Sequence, residues 1–300
     1  MPAPTPRVLL QLDCDPQPST FDAIVAVDAG VDVLLRHGGV APQTVVPLVH
    51  GAMFTRGGPA LSQTAIFVGG SNVEAAEAVC AAVCGAFFGP VRVSVMLDPA
   101  GANTTASAAV LAAARHLPLF EQQHAVRCRA LVLGGTGPVG QRVARLLGRL
   151  GLGVGVASRS LQRAEEVCAG ISGKVSPAQL TPLANDSAAF LAALEGADLV
   201  VACGAAGVVL LDAAGRKRAS HARVLIDLNA VPPAGIEGIA AGDKAKAEGK
   251  AVLYGALGVG GTKMKIHRAG IEQLFSADNV VLDAEELLAL GAALATAPKT

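Results

Sequence analysis

Short runs of Val, Leu and Ile alternate with longer Ala-rich segments along the chain. Val8–Leu12 predicts a strand, and Ser19 is placed to cap a helix over Phe21–Ala29. Ala65–Val68 predicts a buried strand that runs into Gly69 and Gly70. Asn72 then caps an amphipathic helix reaching about Phe88, Val91–Leu97 predicts another strand, and Asn103 or Thr104 caps a helix to about His116. The polar stretch Leu117–Arg127, with Pro118, reads as a connector. The alternation then restarts. Strands are predicted at Ala130–Leu133, Gly153–Ala157, Asp198–Ala202 and Val224–Asp227, with helices at Pro138–Leu150, Leu161–Ala169 and Ser187–Leu194. A helix around Glu272 and a last one over Ala284–Ala295, capped by Asp283, complete the pattern. Alternating strands and helices imply parallel sheets, so the expected fold class is α/β.

Length divides this pattern in two, because 300 residues exceed the usual single domain. Apolar residues at 52% and charged residues at 16% exclude a disordered chain. Equal numbers of acidic and basic residues, 24 each, give no basic field for nucleic acid. With no Trp and one Tyr, few rings are left to stack on bases. The mean hydropathy of +0.49 raises the question of a membrane. Every apolar run is broken before the roughly 20 residues that a spanning helix needs, and the first apolar run is too short for a signal peptide. A cytoplasmic protein is expected. The six Cys (14, 80, 84, 128, 168 and 203) contain no CxxC, and the six His contain no HxxxH pair. Packed thiols are expected, and no metal site.

The sharpest local signal lies between the strand at Ala130–Leu133 and the next helix. Gly135, Gly137 and Gly140 form G-x-G-x-x-G, with Thr136, Pro138 and Val139 at the variable places. The first Gly allows a tight turn, the second lets backbone approach a pyrophosphate, and the third lets helix and strand pack closely. Pro138 suits a helix's first turn, where no N–H is needed. The helix N-terminus then offers N–H donors and partial positive charge to phosphate.

The end of the following strand reads Ser158, Arg159, Ser160, with no acid to accept from a ribose 2′-hydroxyl. Arg159 can pair with a 2′-phosphate and the serines can hydrogen-bond it, which favours NADP and leaves NAD possible. Cys203, Gly204 and Ala205 follow one later strand, and Asn229 follows another. Ligands bind beyond the carboxyl ends of strands in such sheets, so both loops are expected to face the cofactor. Asn229 could bond a carboxamide or a pterin edge, or equally serve the turn. In the first half the candidate acids are Asp13, Asp15, Asp22, Asp28, Asp32 and Asp98. No Lys precedes Lys174 and no Tyr precedes Tyr254. The first half therefore lacks the Lys that many two-domain NADP enzymes use for proton transfer, which favours direct hydride transfer between a reduced one-carbon carrier and NADP.

With these motifs assembled, the chain resembles the NAD(P)-dependent methylenetetrahydromethanopterin dehydrogenases of bacterial one-carbon metabolism. The resemblance rests on Pro18–Asp22, Phe54–Gly58, Thr64–Gly70, Phe87–Ser94, Asn103–Thr105, Gly135–Gly140, Asn229–Ile236 and Gly255–Arg268. It implies a discontinuous pterin domain over residues 1–124 and 268–300, a Rossmann-type NADP domain over residues 125–267, and a cleft between them. It implies tetrahydromethanopterin or tetrahydrofolate as the one-carbon carrier and a homo-oligomer, trimeric or hexameric. Asp22 and Lys263 are then the expected catalytic residues. Ser19, Phe21, Asp98, Asn103 and Thr104 are expected at the substrate, and Gly255 and Leu257 join the cofactor loops. Two other readings stay open: a shikimate-type NADP dehydrogenase, whose first-domain Lys is missing here, and an NADP sensor without turnover.

Overall fold

The computed structural model describes residues 5–173 and 179–296. Lys174, the first lysine, lies outside the described residues. Contacts divide the chain into two compact units, Met1–Thr104 with Met264–Thr300, and Thr105–Lys263.

The first unit runs β1 (Val8–Asp13), α1 (Thr20–Asp28), β2 (Val33–His37), α2 (Val46–Phe54), β3 (Thr64–Gly69), α3 (Val73–Gly85), β4 (Ser94–Leu97) and the start of α4 (Ala102–Ala114). The second runs α5 (Gln122–Ala125), β5 (Arg129–Leu133), α6 (Pro138–Arg149), β6 (Gly153–Ser158), α7 (Leu161–Ser172), β7 (Gln179–Ala184), α8 (Ala188–Glu195), β8 (Leu199–Ala202), α9 (Ala213–Arg218), β9 (Val224–Asp227), β10 (Lys246–Glu248) and β11 (Ala251–Tyr254). The chain leaves this unit within α10 (Ala256–Gln273) and ends in the first unit with β12 (Val281–Leu282) and α11 (Ala284–Thr296).

The first sheet is wholly parallel, in the order β12-β4-β3-β1-β2. Strand order reverses between β1 and β3, the switch point at which such sheets bind ligands. All residues of β3 and β4 are buried, and their Val and Ile side chains pack with Val49, Met53, Val79 and Val83 into one core. The second sheet has the order β10-β11-β9-β8-β5-β6-β7, parallel except at β10. Its switch point lies between β5 and β8. The glycine loop follows β5, and Cys203 and Gly204 follow β8. This α/β architecture, with one parallel sheet and one parallel but for its edge strand β10, is the expected class.

Several expected caps are present. Ser19 Oγ accepts from Asp22 N at 3.2 Å, Asn72 Oδ1 from Ala75 N at 3.0 Å, and Ser187 Oγ from Phe190 N at 3.0 Å. Helix α4 departs from expectation. It begins at Ala102, and the capping acceptor is Asp98, not Asn103 or Thr104. The strand expected from Val91 starts only at Ser94, because Phe88 and Val91 exchange two backbone hydrogen bonds in a tight turn. Strands β2 and β7 escaped the hydrophobic pattern. Both are edge strands, β2 is largely exposed, and β7 carries Pro182, which an edge tolerates.

Candidate functional site

The first unit gathers buried carboxylates at its switch point. Asp13 ends β1 at 1% exposure, Asp22 lies in the first turn of α1 at 7%, and Asp98 follows β4 fully buried. Each carboxylate has a distinct setting. Asp13 uses both oxygens locally, Oδ1 accepting from Asp15 N at 2.9 Å and Oδ2 from Ser19 N at 3.0 Å. It thereby shapes the loop that leads into α1. Asp98 Oδ1 accepts from Asn103 N at 2.9 Å and Thr104 N at 3.1 Å, and Oδ2 from Thr104 Oγ1 at 2.7 Å. Asn103 Nδ2 donates to Leu97 O at 2.6 Å and Asp283 Oδ1 at 2.9 Å. Asp98, Asn103 and Thr104 are all solvent-excluded, so they build the floor of this region.

Glycines bring these loops together. A Cβ on Gly69 would lie 3.4 Å from Asp13 Oδ2 and 3.8 Å from Asp22 Oδ2, so both carboxylates border one point. Gly70, at φ +125°, passes so close to Cys14 that a Cβ there would sit 3.0 Å from the Cys14 Cβ. Asp15 then receives Ser71 N at 2.9 Å and Ser71 Oγ at 2.8 Å, tying the β1 and β3 loops to each other. Phe21 stands beside Asp22 with its ring half exposed (48%).

A residue that the sequence reading passed over completes the cluster. His267 on α10 is fully buried, with Nε2 3.8 Å from Asp22 Oδ1 and Nδ1 3.9 Å from Asp98 Oδ2. Its ring stacks on Phe67, with centroids 5.7 Å apart and planes 14° apart, and lies 6.1 Å from Phe21. The available signal was Ile266 and His267 on one helix, four residues beyond Lys263. A spacing of four puts Lys263 and His267 on one face of α10. Lys263 itself is half-buried.

In the second unit the glycine loop has the geometry its spacing implies. A Cβ on Gly135 would meet the Val156 side chain at 2.7 Å, and one on Gly140 would meet Gly134 O at 2.5 Å. Both glycines are required by close packing. Gly137 differs: a Cβ there would make only ordinary contacts, with Gly134 O at 3.4 Å and Cys203 O at 3.6 Å. Gly137 is the N-cap of α6 and provides no capping side chain, so the first-turn N–H groups of α6 are free of a side-chain cap. Gly134 also matters, although the G-x-G-x-x-G spacing does not include it. Its φ is +65°, and a Cβ would lie 2.8 Å from Gly204 Cα in the β8 loop. Thr136 accepts from Gln141 Nε2 through its carbonyl at 2.9 Å.

Ser158 closes β6, buried, with its Oγ 3.4 Å from Thr136 Oγ1 and accepting from Ser160 N at 3.3 Å. Ser160 caps α7 by accepting from Arg163 N at 3.3 Å. Arg159 between them is exposed and has no ion-pair partner among the described residues. These groups fit a phosphorylated nucleotide: an uncapped helix N-terminus, a close-approach glycine and an unspent guanidinium. Burial, and then Asp227, push the Cys203 thiol upward, so it is held as the thiol. Asn229 serves the turn. Its Nδ2 donates to Pro233 O at 2.9 Å and its Oδ1 accepts from Val231 N at 3.0 Å. Asp227 holds the same loop by accepting from Asn229 N and Ile236 N, both at 3.0 Å. Gly255 opens α10, where a Cβ would lie 2.1 Å from Ala240 O, and Leu257 in the first turn is 69% exposed. No group of His, Cys, Asp and Glu able to hold a metal occurs among the described residues.

Residues 20–100 match the family profile described as methylene-tetrahydromethanopterin dehydrogenase, N-terminal. The bifunctional protein MdtA of Methylorubrum extorquens (strain AM1) is 41% identical over 290 residues, which cover 96% of this chain and 99% of that protein. The NAD(P)-dependent methylenetetrahydromethanopterin dehydrogenase of the same organism is 35% identical over 260 residues, covering 82% of this chain and 84% of that protein. Among solved structures, quinate dehydrogenase from Corynebacterium glutamicum is 14% identical with a TM-score of 0.49, covering 96% of this chain and 99% of that one. At these identities over nearly the whole length, the chain belongs to the family of NAD(P)-dependent methylenetetrahydromethanopterin dehydrogenases.

Proposed function

We propose that the protein transfers a hydride from methylenetetrahydromethanopterin to NADP, leaving the methenyl form of the carrier, as a step in formaldehyde oxidation. The observation that carries this reading is the pair of switch points. One presents buried carboxylates and the other an uncapped helix N-terminus beside an unspent arginine. NADP, when bound, supplies the hydride acceptor. Gly135, Thr136, Gly137, Pro138, Val139 and Gly140 would cradle its pyrophosphate, and Ser158, Arg159 and Ser160 its 2′-phosphate. Cys203, Gly204, Ala205 and the loop built by Asn229 would border the ribose and nicotinamide, with Gly255 and Leu257.

The carrier's methylene carbon loses a hydride and becomes a cation shared with two nitrogens, so no proton moves. This suits a first half without lysine before residue 174. What such a reaction needs is fixed negative charge where the cation develops. Asp22 supplies it, with Ser19 holding the start of α1 and Phe21 offering a ring face to the pterin. Asp98, Asn103 and Thr104 hold the floor beneath, and Lys263 orients the carrier or the nicotinamide. Methylenetetrahydrofolate is a second candidate carrier, because it presents the same one-carbon bridge, and NAD a second candidate cofactor. A cytoplasmic homo-oligomer, trimeric or hexameric, completes the reading. No helix among the described residues is long and apolar enough to cross a membrane.

The test is NADPH formation, followed by absorbance, on mixing protein, NADP and methylenetetrahydromethanopterin, with the folate carrier and NAD in parallel. Turnover with the methanopterin carrier is expected. NADP binding without turnover on either carrier would refute the reading.

A further inference from the structure

His267 is the one fully buried histidine among the described residues, and a carboxylate lies beyond each of its ring nitrogens. That placement constrains its charge. A neutral imidazole carries one N–H and one lone pair. In either tautomer the lone pair would face a carboxylate, Asp98 on one side or Asp22 on the other. Asp98 is set as an acceptor throughout: its oxygens already accept from two backbone amides and the Thr104 hydroxyl. Only the imidazolium turns an N–H toward both acids. Asp13 from the end of β1 lies on the far side of Asp22, beside Gly69, and on α10 the next charged residue is Arg268. Arg268 is turned to Asp28 at 3.0 Å. From β3 comes Phe67, which stacks on the ring and brings no charge.

We propose that His267 is the positioning residue of the carrier site: an imidazolium set between Asp98 and Asp22 that keeps Asp22 ionised where the carrier's cation forms. Its link to turnover rests on the function proposed above, whereas its charge does not. Removing the positive ring leaves Asp22 beside Asp13 and Asp98 with less to hold its charge. Like charges nearby favour protonation, so Asp22 would take a proton at higher pH than in the parent.

Two measurements test this. The first is nitrogen NMR of the imidazoles in the free, full-length protein. An ordinary histidine loses its charge near about pH 6.5, so His267 is expected to keep both N–H groups to at least about pH 8. Asp22→Asn, which removes one flanking acid, is expected to let the proton go at lower pH. A ring with one bare nitrogen at neutral pH would overturn the proposal. The His267→Gln variant assigns the resonance; if that variant does not fold, replacing the other five histidines in turn assigns it by elimination. The second measurement is the pH profile of kcat in His267→Gln. An upward shift of the acid limb by at least about one pH unit, a tenfold loss on the acid side, is expected. A purely structural role would lower activity evenly across pH with an unchanged profile, and that result would also overturn it. If neither carrier is turned over, the proposed function fails while the NMR result still decides the charge of His267.

Discussion

Replacing Arg159 with Gln should separate the two nicotinamide cofactors. The side chain is exposed and pairs with no acid among the described residues, so its loss should change stability by no more than about 0.5 kcal/mol. What it can lose is a charge-assisted hydrogen bond to the 2′-phosphate, which contributes about 1.5–3 kcal/mol. At about 1.4 kcal/mol per tenfold, the Kd for NADP should rise roughly 10- to 150-fold. NAD carries no 2′-phosphate, so its Kd should hardly move. Calorimetric titration of both cofactors at low and high salt is the assay. In the parent, NADP binding should weaken with ionic strength more than NAD binding does, and Arg159→Gln should remove most of that difference. Equal weakening for both cofactors would mean that Arg159 supports the loop and not the phosphate. No change for either would refute the phosphate assignment outright.

Other substitutions probe the scaffold and the carrier site. Asp22→Asn should lower kcat by about 10- to 1,000-fold with a smaller change in KM, as removal of a group that acts on developing charge does; an unchanged kcat would remove Asp22 from the reaction. Asp98→Ala strands two backbone amides and a hydroxyl in the interior and should cost at least about 3 kcal/mol, read as a fall in the denaturation midpoint. Gly258→Ala puts a Cβ within 1.9 Å of Asp243 O, so a loss of about 1–3 kcal/mol or more is expected, visible in Tm. Cys84 should react first among the six thiols. A hydrogen bond from Cys80 and the charge of Arg92 outweigh burial and hold its thiol down to about 7, whereas Cys14, Cys80, Cys128, Cys168 and Cys203 are all pushed up. The thiolate is the nucleophile, so alkylation of Cys84 should accelerate as pH rises through about 7; peptide mapping that finds Cys80 labelled first would contradict the assignment.

Interior strands such as Ala65–Val68 before Gly69 and Gly70 were legible because each is a short apolar run bounded by turn residues, whereas β11, interior between β10 and β9, was missed. The glycine loop was legible because its spacing carries steric demands, and a Cβ built at Gly135 or Gly140 does clash, whereas Gly137 is constrained by no neighbour in this way. The edge strands β2 and β7 were not, since an edge needs neither alternation nor full burial. Residue roles were harder still. Asn229 offers the same amide to a ligand or to its own turn, and only the path of the chain to Pro233 shows that the turn uses it. Asn103 and Thr104 carry polar groups suited to a pocket wall, yet Asp98, five and six residues earlier, recruits their amides and draws both inside. His267 was invisible because its partners Asp22 and Asp98 lie 245 and 169 positions away in sequence. No local pattern encodes a meeting that the sheet arranges.

The contact between Gly134 and Gly204 has a consequence for how this protein can change over generations. Two loops from neighbouring strands touch backbone to backbone, so a side chain at Gly134 would strike Gly204 itself, and one at Gly204 would strike Leu210 at 2.6 Å. A side chain at Gly134 meets fixed backbone, whereas one at Gly204 needs only the end of Leu210 to move, so Gly134 is the more tightly held of the two. Arg159 stands outside this arrangement, exposed and without an ion-pair partner among the described residues. If Arg159 reads the 2′-phosphate as proposed, selection can change the choice of dinucleotide by a single exchange at the surface, while Gly134, set against backbone, cannot change with it.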